Sequence, residues 1–148
     1  MATLSDNKVR QFALGEIEEY PVIAADSIFE GAAVGENGSG YARPLQAGDA
    51  FLGFAEAPAL NESGAAGAVD VRARTRGRVT LDVTGASAIT ANDRPIVYAA
   101  DDDTFTLTAG ANTPIGRVSR WIGGTKCVVE FDAYQSRVEA LIATKADA

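Results

Sequence analysis

Val69-Asp70-Val71-Arg72-Ala73-Arg74-Thr75-Arg76-Gly77-Arg78-Val79-Thr80-Leu81-Asp82-Val83 is the stretch that decides the fold. Val69, Val71, Ala73, Thr75, Gly77, Val79, Leu81 and Val83 share one parity, and Asp70, Arg72, Arg74, Arg76, Arg78, Thr80 and Asp82 the other. This period of two is that of a half-buried β-strand. At ~3.3 Å per residue a straight strand of this length would run roughly 50 Å, longer than a small domain is wide. The chain is therefore expected to bend or turn at Gly77. A two-residue hairpin loop would set Thr75 opposite Arg78 and break the parity of the faces. A three-residue loop or a single glycine bend preserves it, and these are the expected geometries.

Outward from this stretch, short apolar runs alternate with turn signals. Ala32 to Glu36 and Tyr41 to Leu45 flank Asn37-Gly38-Ser39-Gly40, whose Asn and Gly tolerate positive φ. Asp49 to Ala57 follows, stopped by Pro58. Arg94 to Ala99 and Thr104 to Leu107 flank Asp101-Asp102-Asp103, and Thr113 to Ile122 and Thr125 to Phe131 flank Gly123-Gly124, the strongest hairpin signal in the chain. Leu52-Gly53-Phe54 and Ile115-Gly116-Arg117-Val118 form a faint echo, each after a hairpin, but alternation with glycine is common in any β protein, and a duplication is not the expected reading. Only the C-terminus reads as helical: Asp132 suits an N-cap, and Tyr134, Val138, Leu141 and Ile142 recur at helical spacing, with Thr144 to Ala148 expected to fray. The expected organisation is a flexible N-terminal arm over residues 1–11, a β-rich domain over 12–132, and a short C-terminal helix and tail over 133–148. The fold class is all-β, a small β-barrel or sandwich.

Composition narrows the chemistry. The chain has 148 residues, enough for one domain with a core that needs no metal or disulfide staple. It contains no His, so the usual general base and the commonest metal ligand are missing, and Ser-His-Asp, Cys-His and conventional zinc chemistry are excluded. The lone Cys127, in the run Lys126-Cys127-Val128-Val129, reads as a small buried hydrophobe. A net charge of −7 argues against wrapping nucleic acid. No apolar stretch approaches the ~18 residues that span a bilayer, and the N-terminus lacks the basic and apolar regions of a signal peptide. Synthesis in the cytoplasm follows as the expectation, with no nucleic-acid or membrane partner.

Four constellations carry possible chemistry. Asp101-Asp102-Asp103 offers oxygen ligands but lacks EF-hand spacing and reads as a solvated turn. Alternation puts Glu16 and Glu18, near Tyr20-Pro21, side by side on one face of an exposed edge. Gly35 to Gly40 lacks the Lys-Ser or Lys-Thr and the helix of a phosphate loop, and reads as a turn. The sharpest feature is the row Arg72, Arg74, Arg76 and Arg78, four guanidinium groups on one face about 7 Å apart. Three readings stay open for it: a solvated face neutralised by neighbouring carboxylates, a rigid row for bidentate contact with carboxylates of another protein, or a phosphate site, which the overall acidity weakens.

Beyond these residues, the segments Asp26 to Val34, Phe51-Leu52-Gly53-Phe54-Ala55, Asn92 to Tyr98 and Thr113-Pro114-Ile115-Gly116-Arg117-Val118, in an acidic, His-free chain with a polar start, resemble the head decoration, or capsid cement, proteins of tailed bacteriophages. The resemblance covers about residues 12 to 131. It implies a small β-rich, β-tulip-like domain on the outer capsid surface of the virion, self-associated as a homotrimer, with the major capsid protein as partner and no catalytic residue, metal or cofactor. The helical segment Ala133 to Ala143 has no counterpart in that pattern. The expected function is therefore structural: binding across capsid subunits and stabilising the shell. The candidate contacts are Phe12, Leu14 and Ile17, whose alternation suits strand addition to a neighbour's edge, and Arg72, Arg74, Arg76 and Arg78. The alternatives are a carbohydrate- or receptor-binding β module of a phage tail, for which few aromatics are at hand, and a hydrolase built on two carboxylates.

Overall fold

In a computed structural model of the chain, residues 3, 5–10, 15–88 and 93–146 are described. Twelve strands and one helix are named among them: β1 (Ile17–Pro21), β2 (Asp26–Ile28), β3 (Ala33–Glu36), β4 (Ala42–Pro44), β5 (Ala50–Ala55), β6 (Ala59–Asn61), β7 (Asp70–Arg74), β8 (Arg76–Thr84), β9 (Ile96–Ala99), β10 (Phe105–Thr106), β11 (Thr113–Gly123), β12 (Lys126–Asp132) and α1 (Ala133–Ala146). One sheet runs β1-β7-β5-β3-β4, and β10-β8-β12-β11-β9 closes into a barrel, while β2 and β6 form a separate ribbon. The fold is all-β with a small closed barrel and a C-terminal helix.

The decisive stretch bends rather than turns back. Its first part is β7, in the open sheet, and its second is β8, in the barrel. The break falls at Thr75, two residues before the expected Gly77, which lies inside β8 with φ +148°. Thr75 is held from both ends of the chain: its N–H donates to Glu16 O (2.8 Å), its hydroxyl to Gly15 O (2.9 Å), and its carbonyl accepts from Ala133 N (2.8 Å). The parity survives the bend, with Val71, Ala73, Thr75 and Val83 buried and Asp70, Arg72, Arg74, Arg76, Arg78, Thr80 and Asp82 exposed.

The sequence echo marks a repeated structure. The strands β1, β3, β4, β5 and β7 correspond in chain order to β8, β9, β10, β11 and β12, and the two sheets have the same strand neighbours. The registers coincide as well. Ala33↔Phe54, Val34↔Gly53 and Gly35↔Phe51 recur as Ile96↔Arg117, Val97↔Gly116 and Tyr98↔Pro114, so Leu52 and Ile115 are the bulged residues of equivalent strands. Glu36↔Ala42 recurs as Ala99↔Phe105, and Arg74↔Ile17 as Glu130↔Arg78. Backbone bonds outside the strands follow suit: Asn37 N to Tyr41 O and Ala100 N to Thr104 O, both 2.9 Å, and Val22 N to Val69 O and Val83 N to Thr125 O, 3.0 and 2.9 Å. Even the parallel closure β8–β10 has its counterpart in the bridge Val22↔Ala42, which brings the outer strands of the open sheet together.

Equivalent positions fill both interiors. Val22, Val34, Ala42, Ala55 and Val71 in the first unit match Val83, Val97, Phe105, Val118 and Cys127 in the second, all buried. Cys127 thus occupies the place that Val71 holds in the other unit, as a small hydrophobe. Where the units meet, Phe54 packs edge-on against Phe51 (5.5 Å between ring centres) and Phe131 (4.9 Å) and tilted on Phe105 (6.0 Å). Each such edge contact adds about 0.5–1.5 kcal/mol to the burial itself.

Helix α1 begins where Asp132 Oδ1 accepts from the N–H groups of Tyr134 (3.0 Å) and Gln135 (3.2 Å), the expected N-cap. The helix is assigned through Thr144 to Ala146, and residues 147 and 148 lie outside the described residues. Its orientation is also unlike that of a core helix: it turns Ala133 and Ser136 to the body, and Tyr134, Val138, Leu141 and Ile142 to the outside.

The repeat makes a paired prediction. A Cβ at Gly53 would collide with the carbonyl of Arg74, and one at Gly116 with the carbonyl of Glu130, whereas Gly15 has open space around it. Gly53→Ala and Gly116→Ala should each cost at least about 2 kcal/mol in urea unfolding, with Gly53 the worse because its φ is also positive (+127°), and Gly15→Ala should be near neutral. Tolerance at either strand glycine would show that the close approach is not a shared constraint.

Candidate functional site

The arginine row lies along the bend. Strand pairing sets Glu19 beside Arg72, Asp132 beside Arg76 and Glu130 beside Arg78, so the opposed acids reach the same outer face. Glu56, just beyond β5, reaches two members at once: Oε2 accepts from Arg72 Nε (2.8 Å) and Oε1 from Arg74 Nη2 (3.1 Å). Glu19 adds a longer contact to Arg72 (3.6 Å), and Glu130 meets Arg78 at 3.4 Å. The hydrogen bond from Arg72, helped by Arg74, holds the Glu56 carboxyl below its usual range. Exposed pairs of this kind contribute little to stability. Their effect is local: three of the four charges are neutralised within the chain.

Arg76 is the exception. Its cross-strand neighbour Asp132 is committed to the helix cap, and Arg76 makes no ion pair among the described residues. It lines an open trough of about 510 Å³ at the meeting of the two units, with Arg74, Arg78 and Arg117 on its walls and Glu16 and Glu130 among the acids. Arg117 donates to the carbonyl of Arg94 (3.2 Å) and to Glu139 of α1 (3.5 Å). The trough therefore presents fixed donors and acceptors at a surface. Its groups suit recognition of a carboxylate-bearing partner by fork geometry.

The other residues singled out from the sequence fall elsewhere. Phe12 and Leu14 lie outside the described residues, and Ile17 starts β1, paired with Arg74 of β7 in its own chain. Ile17 thus extends this chain's own sheet. Glu16 lines the trough and Glu18 sits near Tyr20. Asp101 closes its turn by accepting from Asp103 N (2.9 Å) and Thr104 Oγ1 (3.0 Å), while burial, followed by the charges of Asp101 and Asp103, raises the Asp102 pKa. Among the described residues no group of three potential ligands is placed to hold a metal ion. In the Gly35–Gly40 turn, the carboxylate of Glu36 takes the N–H groups of Gly38 (2.9 Å) and Gly40 (2.5 Å), so the amides a phosphate would need are already used. Trp121, at the β11–β12 tip, donates its indole N–H to Gly124 O (2.9 Å). No described helix is long and apolar enough to cross a membrane.

Sequence reasoning missed Glu56, Arg117 and Glu139. Glu56 and Glu139 carried no signal, being single acids far along the chain from their partners. Arg117 carried a faint one, since it breaks the apolar run after Gly116 at the position where the first unit has Phe54. Tyr134 of α1 comes near Tyr20 of β1. Burial, then the Tyr134 phenol and the Glu18 charge, push the Tyr20 hydroxyl up to about 12.

Compared with known protein families, with curated proteins and with solved structures, the chain matches none of them.

Two measurements check this geometry. Tyr20 keeps its proton to about pH 12 when folded and to about 10 when unfolded. Below pH 10 both states are protonated. Between the two values only the folded state holds the proton, so stability should fall as pH rises through this window, and less steeply in Tyr20→Phe. An identical pH slope in the variant would remove Tyr20 from the account. Cys127 is fully buried and its thiol pKa is raised by that burial, so a thiol reagent should label it only upon unfolding, and Cys127→Val should leave the fold intact.

Proposed function

We propose that this protein is a structural subunit of a tailed-phage head, binding the outside of the capsid and stabilising it by bridging capsid subunits. The resemblance noted in the sequence falls on equivalent places of the fold. Phe51–Ala55 lies in β5 and Thr113–Val118 is the start of β11, each with its glycine beside the bulge. The observation that carries the reading is Arg76: a guanidinium in the wall of an open trough, with the acid opposite it taken by a helix cap and its three companions in the row neutralised internally. A carboxylate on a neighbouring protein supplies what Arg76 lacks. The mechanism is mass action, because a ligand that binds only the assembled shell stabilises that shell by an amount that grows with occupancy, and several contacts per subunit raise the effective affinity.

The test is co-sedimentation with undecorated heads across a salt series. Arg76→Gln should weaken occupancy by about tenfold or more, with an unchanged melting curve for the free protein. Arg72→Gln breaks an internal pair instead, and should affect binding less. Full occupancy of Arg76→Gln at every salt concentration would return the row to a solvated face. Failure of the unaltered protein to sediment with heads would remove the capsid reading itself.

A further inference from the structure

Of the chain's five asparagines only Asn37 is followed by glycine. The main-chain nitrogen after an asparagine is one five-membered ring closure away from the side-chain amide carbon, and the Cβ of the residue that carries this nitrogen hinders the closure. Gly38 has no Cβ, and nothing lies within 4 Å of where one would stand. Asn61 and Asn112 differ on both counts. They precede Glu62 and Thr113, and their Nδ2 groups donate to Ile23 O and Ala65 O (2.9 and 3.0 Å) and to Thr108 O (3.1 Å). The Nδ2 of Asn37 makes no hydrogen bond among the described residues.

We infer that Asn37-Gly38 is a self-modification site, an amide able to cyclise onto its own main chain with loss of ammonia, and that the Glu36 carboxylate holds it shut in the folded protein. In the step itself a bond forms between Gly38 N and Asn37 Cγ, and the Cγ–Nδ2 bond breaks. The amide proton leaves with Nδ2 as ammonia, and water then opens the imide to aspartate or isoaspartate. The imide ring is planar, so Cγ must come to the place that the Gly38 amide hydrogen occupies. Glu36 Oε2 accepts that hydrogen (2.9 Å), and Oε1 accepts from Gly40 N (2.5 Å). The other reacting group is pinned as well: Asn37 Oδ1 accepts from Ser39 N (2.8 Å) and Tyr41 N (3.1 Å). Cyclisation must break the bond to Glu36 and shift the carbonyl that the other two amides hold.

The second unit has the equivalent turn without the reactive pair. There Ala100 stands in the place of Asn37, and Asp101 closes the turn by accepting from Asp103 N and Thr104 Oγ1. A turn of this length thus closes without an amide at that position, and the Glu36 clasp belongs to the first unit alone. Conversion would act on the β3–β4 connection. Isoaspartate carries the main chain through one extra carbon, which disturbs the bond from Asn37 N to Tyr41 O (2.9 Å), and either acid adds a negative charge beside Glu36.

The experiment is incubation of the full chain in mildly alkaline buffer, folded and in guanidinium, with peptide mapping by mass spectrometry to follow the change from amide to acid at Asn37 and chromatography to separate aspartate from isoaspartate. No phage head enters, so the outcome is independent of the capsid reading. In the unaltered protein Asn37 should convert about tenfold or more slowly when folded than when unfolded, because a hydrogen bond to a charged acceptor must break first. Glu36→Ala should remove most of that difference and leave the unfolded rate unchanged, with a circular-dichroism melt verifying the fold. Glu36→Gln keeps the shape of the side chain but not its charge, and should convert faster than the unaltered protein when folded. Absence of conversion at Asn37 in guanidinium, or equal folded and unfolded rates in the unaltered protein, would overturn the site or its closure. Folded Glu36 variants no faster than the unaltered protein would overturn the role of Glu36.

Discussion

The structure depends on one constraint, the unbroken alternation of Val69 to Val83 through the bend at Thr75. A one-residue slip anywhere in this run would send either Val71 and Ala73 or Val83 to solvent, and would bring arginines into an interior. Because β7 and β8 are one run, register in the first unit fixes register in the second. Thr75 enforces the passage. It is buried, yet each of its polar groups is bonded, to residues 15 and 16 on one side and Ala133 on the other, so a polar side chain sits there without an unsatisfied atom.

From this run the repeated architecture follows. Each unit is too small to bury all the apolar surface of its strands, and the four phenylalanines at the junction let the units complete one another. The equivalence is closest in backbone register and loosest in side chains. Gly53 and Gly116 are retained in both units because a neighbouring carbonyl lies where a Cβ would stand, while Ala42 and Phe105 fill equivalent interior positions with very different volumes. Backbone approach has one solution, whereas a small barrel can be filled in several ways provided the total volume suits. On the outer faces the units diverge in use: Phe54 packs at the junction, and its counterpart Arg117 lines the trough.

How much was legible in the sequence follows from the range of each signal. The hairpins at Asn37–Gly40, Asp101–Asp103 and Gly123-Gly124 were readable because turn residues act locally, and the parity of the long run because burial on one face leaves a period of two. The bend was placed at Gly77 when it lies at Thr75, because it is fixed by hydrogen bonds to residues about 60 positions away on either side in the chain, which no local pattern records. The arginine row was visible, but not its partners, since Glu56 lies 16 residues before Arg72 and Glu130 52 after Arg78. The helix was readable from its spacing, while the direction of its apolar face depends on the body beneath it. The repeat was faint because equivalent positions carry different side chains even where the registers coincide.

Asp132 joins the arginine row to the C-terminal helix. It ends β12 opposite Arg76, and its carboxylate is drawn toward the first N–H groups of α1, where the helix dipole also favours a negative charge. One residue thereby turns from Arg76, which makes no ion pair among the described residues, and fixes the start of the helix whose apolar stripe faces outward. Net charge sets the context for both. At −7 the molecule repels its copies at long range, so contact requires short-range groups in a defined orientation. An arginine beside a trough and a stripe of four apolar side chains are such groups, and the bonds at Thr75 and the cap at the start of α1 fix how each is presented.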